Sequence, residues 1–526
     1  MNQLLAYTDK QSYLPNETIN IFTNCFANIR FNINNFIKSF KCFELKNVKI
    51  PNKTKYIRIN YQFINDNHIE LIVNNSNNNI SILSKENMNN IIDSKNNSSD
   101  KFILLKIDEI DMIDIMFLST VHNPKFYNFS IFFHEIIPYL KYKLYNDEKY
   151  LINFKQSNYI INQLYFNESF LNGCNWTKTE SMKIPQDIKS GYYFIKIEYI
   201  DSVFYIPIII KPYLIQNNST KSQILVLANT NSWNAYNDWN GSSKLFNLDQ
   251  LLKKNNENNT IYNSANFCRP NVNSSVAIKE FMNKNIETNI YPNTLIYGEM
   301  HLVNFLRTKD LHFDVITDYD FDNINNNFSS YKIFIIHGQA EYWTINELNN
   351  INKLHYAYKI HIMYLTSKCC FYKTNYEENS MQVDKDFYIK LKLKNSTIYH
   401  EDIFGVSYKS FYNKNISYIC TNKQHWIFKD TDLSGNNFGF KNLISNDKTI
   451  NCSTIGFTVD AVQKEKFQKY IIARSIDNLC NMVWIDDDDN NGYVFSASTL
   501  SYVGSLIVDE NINKITSNII FYLINK

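Results

Sequence analysis

The stretch FIIHGQAEYWT, residues 334–344, reads as a buried strand that runs into a sharp polar turn and then a helix start. The chain has only 11 glycines in 526 residues, and one of them, Gly338, stands in this turn beside His337, Gln339 and Glu341. Thr344 and Glu347 have the spacing of a capping box, in which a hydroxyl and a carboxylate satisfy the open backbone N–H groups of a helix start. The helix boundary is thereby marked, and Gly338 suits a turn that needs a positive φ or a close backbone approach.

Working outward, the segments after residue 223 alternate between strand and helix patterns. QILVLANT, HFDVITD, YKIFIIHG and KIHIMYLTS are short and rich in Ile and Val, while LIYGEMHLVNFLRTKD (295–310) and TINELNNINKLHYAY place apolar residues at helical spacing. This order predicts an α/β domain whose parallel sheet is covered on both faces. In such sheets ligands bind beyond the carboxyl ends of the strands, where side chains and helix N-termini converge. Glu341 and its neighbours are therefore a site candidate, with a purely structural turn as the other reading.

Residues 1 to about 215 behave differently. TINIFTNC, YIRINYQF, NHIELIV, FILLKI and YYFIKIEYI alternate apolar and polar positions between Asn, Asp, Ser and Pro punctuation, the pattern of a β-sandwich. FFHEIIPYLKYKLYN (132–146) fits a helix or a strand. Residues 208–223 read as a linker, an apolar strand followed by a Pro and a polar run. The expected fold is thus α+β with two domains, a sandwich-like one over 1–215 and an α/β one over 216–526.

Composition narrows the function. Lys and Arg number 53 against 51 Asp and Glu, which leaves no basic stripe for nucleic acid. The longest apolar run, VFYIPIII (203–210), is too short to span a bilayer, and MNQLLAYTDK lacks a basic region followed by an apolar one, so a cytoplasmic protein is expected. Nine scattered cysteines, never spaced C-x-x-C, fit reduced buried thiols better than disulfides or a zinc site. The abundance of Asn, Ile, Lys, Tyr and Phe reads as a coding bias, and clusters such as NNSNNN (74–79) as loops.

GQAEYW resembles the GHxEYW segment of the N,N-dimethylformamidase large (beta) subunit family, and the likeness continues in order along the chain. AYTDKQSYLPNETINIF (6–22) resembles the family's opening strand, with Asn16 where a Gly is usual. WTKTESMKIPQDIKSGYYFIKI (176–197), ANTNSWNAYNDWNGSSKL (228–245), the RP pair at 269–270, HWIFKDTDLSGNNFG (425–439), IGFTVDA (455–461) and VFSASTLSYVGSL (494–506) resemble its later motifs. The resemblance implies a sandwich-like region followed by a class I glutamine amidotransferase-like, flavodoxin-like α/β domain. It implies amide C–N hydrolysis at a mononuclear ferric iron held by two tyrosinates and a glutamate. Hard anionic oxygen donors suit that ion, and the iron would act as Lewis acid and source of hydroxide. A small amide is the implied substrate, and a homo-oligomer or a small partner subunit the implied assembly.

Carried over residue by residue, Glu341 falls on the glutamate ligand and Tyr236 on one tyrosinate. The second tyrosinate has no match: after RP, where a Tyr is common, stands Asn271. Gln339 replaces the family's His, and Thr458 replaces a Glu; neither can take a proton at neutral pH. The Gly- and Asn-rich segment after the next strand has become LTSKCCFY. His337 is a substitute base or a core histidine, and His425 and Asp460 are further candidates. Three functions remain: a divergent amide hydrolase, a catalytically inactive homologue that binds or assembles, and, from the sandwich pattern alone, a carbohydrate-binding β domain with an inert partner. A glutaminase nucleophile is not expected, because Gln339 and Ala340 occupy its turn. The D-x-D-x-N-G run at 487–492 has Ser498 at the twelfth position instead of Glu, and reads as a solvated turn.

Overall fold

The structure is a computed structural model. It describes residues 3–26, 42–49, 56–64, 69–75, 78–81, 91–94, 101–106, 112–119, 125–134, 140–145, 150–157, 169–199, 202–213, 222–237, 239, 264–282, 295–324, 330–388, 400–444, 452–486 and 491–526. Half of the 208–223 linker and most of the 487–492 turn lie outside these residues.

The protein is mixed α/β and rich in strands. At the amino end, Gln3–Thr8, Thr18–Phe26 and Glu180–Lys183 form one antiparallel sheet. Tyr150–Ser157, Leu140–Tyr145, Gly191–Tyr199 and Ser202–Ile210 form a second antiparallel array, to which Ser12–Tyr13 adds in parallel. Leu5, Ile19 and Ile21 from the first meet Ile195, Ile197, Ile206 and Ile208 from the second in one core, which is the packing that period-two patterning demands. Two more antiparallel sheets, each of four strands, use the segments between Cys42 and His134. The ambiguous 132–146 stretch resolves as strand on both sides, Lys125–His134 and Leu140–Tyr145. Its aromatic residues favour a pleated surface. Asn16 takes φ 68°, so an Asn fills a left-handed turn that glycine would fill more easily.

After residue 223 the chain builds a nine-stranded sheet. Phe313–Thr317, Ile224–Ala228, Ile333–His337, His361–Leu365 and Val494–Ser496 run parallel. Asn481–Ile485, Ile471–Arg474, Tyr418–Cys420 and Asn437–Phe438 extend it antiparallel. The expected parallel sheet is present, and an antiparallel half that the sequence reading did not include extends it. Its antiparallel half is built from short late strands, with no crossover α-helix among the described residues to impose the parallel direction.

Alternate residues of the parallel strands enter different cores. Val226, Ile335 and Met363 pack with Leu302 and Leu306 of the Ile296–Thr308 helix and with Ile515 and Ile519 of Glu510–Ile524. Leu227, Phe334, Ile336 and Ile362 pack on the other face with Leu348 and Ile351 of the Ile345–Asn352 helix. Both faces are covered, as the uninterrupted apolar strands require. Thr344 and Glu347 close the expected capping box.

Gly338 turns the chain at φ 60° directly after the Ile333–His337 strand. A side chain there meets the left-handed penalty of about 1–2 kcal/mol. Gly338→Ala is therefore expected to lower the thermal unfolding midpoint of the protein by the equivalent of about 1–2 kcal/mol. An unchanged midpoint in scanning calorimetry contradicts this.

Candidate active site

Two neighbouring parallel strands, Ile333–His337 and His361–Leu365, end in turns that are hydrogen-bonded to each other. Cys370 N–H donates to the Ala340 carbonyl at 3.0 Å, and the Phe371 and Tyr372 N–H groups donate to the Glu341 carbonyl at 2.9 and 2.8 Å. The Thr366 hydroxyl donates to the Gly338 carbonyl. Beyond the turns the chain continues as Tyr342–Trp343 beside Tyr372–Lys373, again parallel.

The joined turns put Glu341 at the centre. Glu341 is 2 % exposed. Tyr236 Oη donates to Oε2 at 2.8 Å, Gln339 Nε2 donates to Oε1 at 3.4 Å, and Lys368 Nζ lies 3.5 Å from Oε1. Burial first, then the Glu341 charge, pushes the Tyr236 phenol well above its ordinary value, so it sits here as a protonated donor. Tyr342 and Tyr372 add to that shift. The Tyr342 ring stands edge-on to Tyr236 and stacks on Tyr372 at 5.0 Å between centroids.

The turn that carries Lys368 is itself anchored. Asp460 Oδ1 accepts the Lys368 N–H at 2.9 Å, and its Oδ2 accepts the Tyr364 hydroxyl at 2.6 Å. Burial drives the Asp460 carboxyl up to about 7 against those two bonds. Ser367 Oγ donates to the Thr458 carbonyl at 2.7 Å and lies 2.5 Å from the Thr458 hydroxyl. Thr458 and Asp460 thus reach the site as supports of the Lys368 turn, and neither touches Glu341 in the contacts of the described residues.

The other candidates fall elsewhere. The His337 ring is fully buried, and burial pushes its pKa down to about 3. His425 caps the short turn Trp426–Phe428. Asn271 caps the Val272–Met282 helix through Ser274 N–H and donates to the Trp233 carbonyl. Cys369 and Cys370 are buried thiols, 3.3 Å apart.

Lys368, Tyr372 and Tyr342 were missed in the sequence. The strand-end rule that singled out 338–342 applies equally to the next strand, and would have pointed to 366–372. A buried Glu299 was also missed. It accepts from Tyr192 (2.8 Å), Asn229 (3.0 Å) and Trp233 (2.9 Å), and burial lifts its carboxyl to about 7.

A cavity of about 320 Å³ opens between the two regions of the chain. Asp9, Lys10, Lys211, Trp233, Arg269 and Tyr319 line it, whereas Tyr236 and Glu341 do not. Trp233 and Asn234, on the cavity wall, belong to the Thr230–Ala235 helix that delivers Tyr236.

A buried carboxylate ringed by phenols at the carboxyl ends of parallel strands defines an α/β protein with a strand-end polar site, the usual place for ligand chemistry in this architecture. Comparison with known proteins makes this specific. Residues 153–516 match the family described as N,N-dimethylformamidase beta subunit-like, C-terminal. The chain belongs to that family. It is 40 % identical over 73 residues to the N,N-dimethylformamidase beta subunit of Paracoccus aminophilus, and 37 % over 73 residues to that of Alcaligenes sp. Each alignment covers 14 % of this chain and 9 % of the relative, so the matched stretch is a small part of either protein.

The donor set can be tested against the ferric ion that the resemblance implies. Such an ion needs the glutamate's lone pairs and a third anionic oxygen. Here both Glu341 oxygens already accept from Tyr236 and Gln339, and the Lys368 ammonium lies against Oε1. The position after RP that would supply the second tyrosinate is Asn271, which has no anionic oxygen and is engaged with Ser274 N–H and the Trp233 carbonyl. The residues present do not fit the ion.

The buried His337 gives a pH test. Its folded pKa of about 3 lies below the unfolded value of about 6.5, so the unfolded chain binds more protons as pH falls through that window. His337→Leu is expected to gain on the wild type by roughly 3 kcal/mol between pH 7 and pH 4. Parallel stability curves for the two proteins over this range would refute it.

Proposed function

We propose that this chain binds a small polar amide at Tyr236, Glu341 and Lys368, as a family member whose proton-moving residues have been exchanged. One observation carries the reading: three donors from three segments converge on the buried Glu341 carboxylate at the strand ends. An amide carbonyl needs hydrogen-bond donors and an amide N–H needs an acceptor. Lys368 carries three N–H donors and Glu341 is an acceptor, which supplies both.

Hydrolysis would require a group that takes a proton from water. Gln339 has no such capacity, the Thr458 hydroxyl is engaged with Ser367, and both Asp460 oxygens accept hydrogen bonds. The second reading, iron-dependent cleavage of a small amide C–N bond, is favoured by family membership alone, because the residues around Glu341 do not fit the ion.

We read the second region as a class I glutamine amidotransferase-like domain without a glutaminase nucleophile, since Gln339 and Ala340 occupy the turn. The relatives are beta subunits by name, which supports a partner subunit or a homo-oligomer for this chain. The free cysteines suit the reducing cytoplasm. Among the described residues no helix is long and apolar enough to cross a membrane.

Calorimetric titration with formamide and N,N-dimethylformamide is expected to give saturable binding, weakened at least about tenfold, or 1.4 kcal/mol, by Glu341→Gln. No formate should be released. Formate release would decide for the hydrolase, and absence of saturable binding would remove the amide reading.

A further inference from the structure

We infer that the Lys368 ammonium is the resident cation of this site, standing where the family's chemistry calls for a metal ion. The inference goes beyond amide binding and holds whichever ligand the site takes.

Three features support it. The first is the aim of the side chain. Lys368 is 9 % exposed, and its Nζ lies 3.5 Å from Glu341 Oε1 and 4.5, 5.3 and 5.8 Å from the ring centroids of Phe371, Tyr372 and Tyr408. A carboxylate and three aromatic faces form the kind of cage that recognises a cation. The chain's own lysine fills it.

The second is the backbone that delivers it. Lys368 and Cys370 take φ values of 57° and 53°, a left-handed conformation that glycine or asparagine adopts at less cost. Non-glycine residues persist there only where the surroundings over-determine them. The surroundings do so here, through Asp460 on the Lys368 N–H, Tyr364 Oη on the Cys369 N–H at 3.2 Å, and Thr458 on Ser367.

The third is charge balance. Glu341 is as buried as a core residue, and a carboxylate in that position needs a compensating cation. The ammonium supplies one positive charge against one negative charge. A ferric ion seated on Tyr236 and Glu341 would lie beside that ammonium and be repelled by it. One cation excludes the other.

The test has two arms on the full-length protein. In the first, wild type is incubated with ferric citrate, desalted and analysed for iron and for visible absorption. The expected result is no stoichiometric iron and no tyrosinate charge-transfer band. In the second, the stability of wild type, Lys368→Met, Glu341→Gln and the double variant is compared as a cycle. Removing Lys368 alone should shift the unfolding equilibrium by roughly a hundredfold, because it leaves a buried charge unpaired. The double variant should recover most of that loss. If Lys368→Met does not fold while the double variant does, the pairing is equally demonstrated; if neither folds, the iron arm decides alone. Stoichiometric iron bound to wild type through a tyrosinate overturns the inference, as does a cycle with no coupling. Neither result depends on amide binding, so the two readings fail separately.

Discussion

Everything at this site depends on one constraint, that two adjacent parallel strands end level with each other and their following turns share backbone hydrogen bonds. Cys370, Phe371 and Tyr372 donate to Ala340 and Glu341, so neither turn can move without the other. Parallel register delivers His337 beside Leu365, and the next few residues of each strand must then meet. A buried backbone donor left unpaired costs free energy comparable to a lost hydrogen bond, which holds the turns together. Glu341 and Lys368 face each other as a consequence.

The protein treats its buried carboxylates in two ways. Glu299 is satisfied by neutral donors from Tyr192, Asn229 and Trp233, and with no cation among them burial lifts its carboxyl to about 7. Tyr192 belongs to the amino-terminal sheet and Trp233 to the helix that delivers Tyr236, so Glu299 ties the two regions together. Glu341 has an ammonium beside it. Glu299, held by neutral donors alone, serves as structure, whereas a carboxylate with an ammonium beside it keeps a strong local field available to a ligand.

Much of the fold was legible from local pattern. The strand and helix alternation from Ile224 to Leu365, the Thr344 capping box and the left-handed Gly338 follow from periodicity and turn chemistry, which act over a few residues. The antiparallel half of the large sheet was not legible. Strands as short as Tyr418–Cys420 and Asn437–Phe438 carry too few residues to show a period, and their partners are distant in sequence. At the site, the motif pointed to Glu341 and Tyr236, and the structure joins them across 105 positions of chain. It also removes His337 from the reckoning as a base, because its ring is sealed in the core.

By itself, the sequence determined the class of fold, the position of the strand-end turn and the family likeness, because each of these is written in neighbouring residues. Only the tertiary structure decided what surrounds Glu341. Lys368 lies 27 positions away and in LTSKCCFY reads simply as a departure from a Gly-rich segment. Its meaning comes from the distance between its Nζ and a carboxylate on the adjacent strand's turn, and from a strained backbone fixed by Asp460. Electrostatic interaction depends on separation in space and on exclusion of water, and both arise only when the strands have been placed side by side.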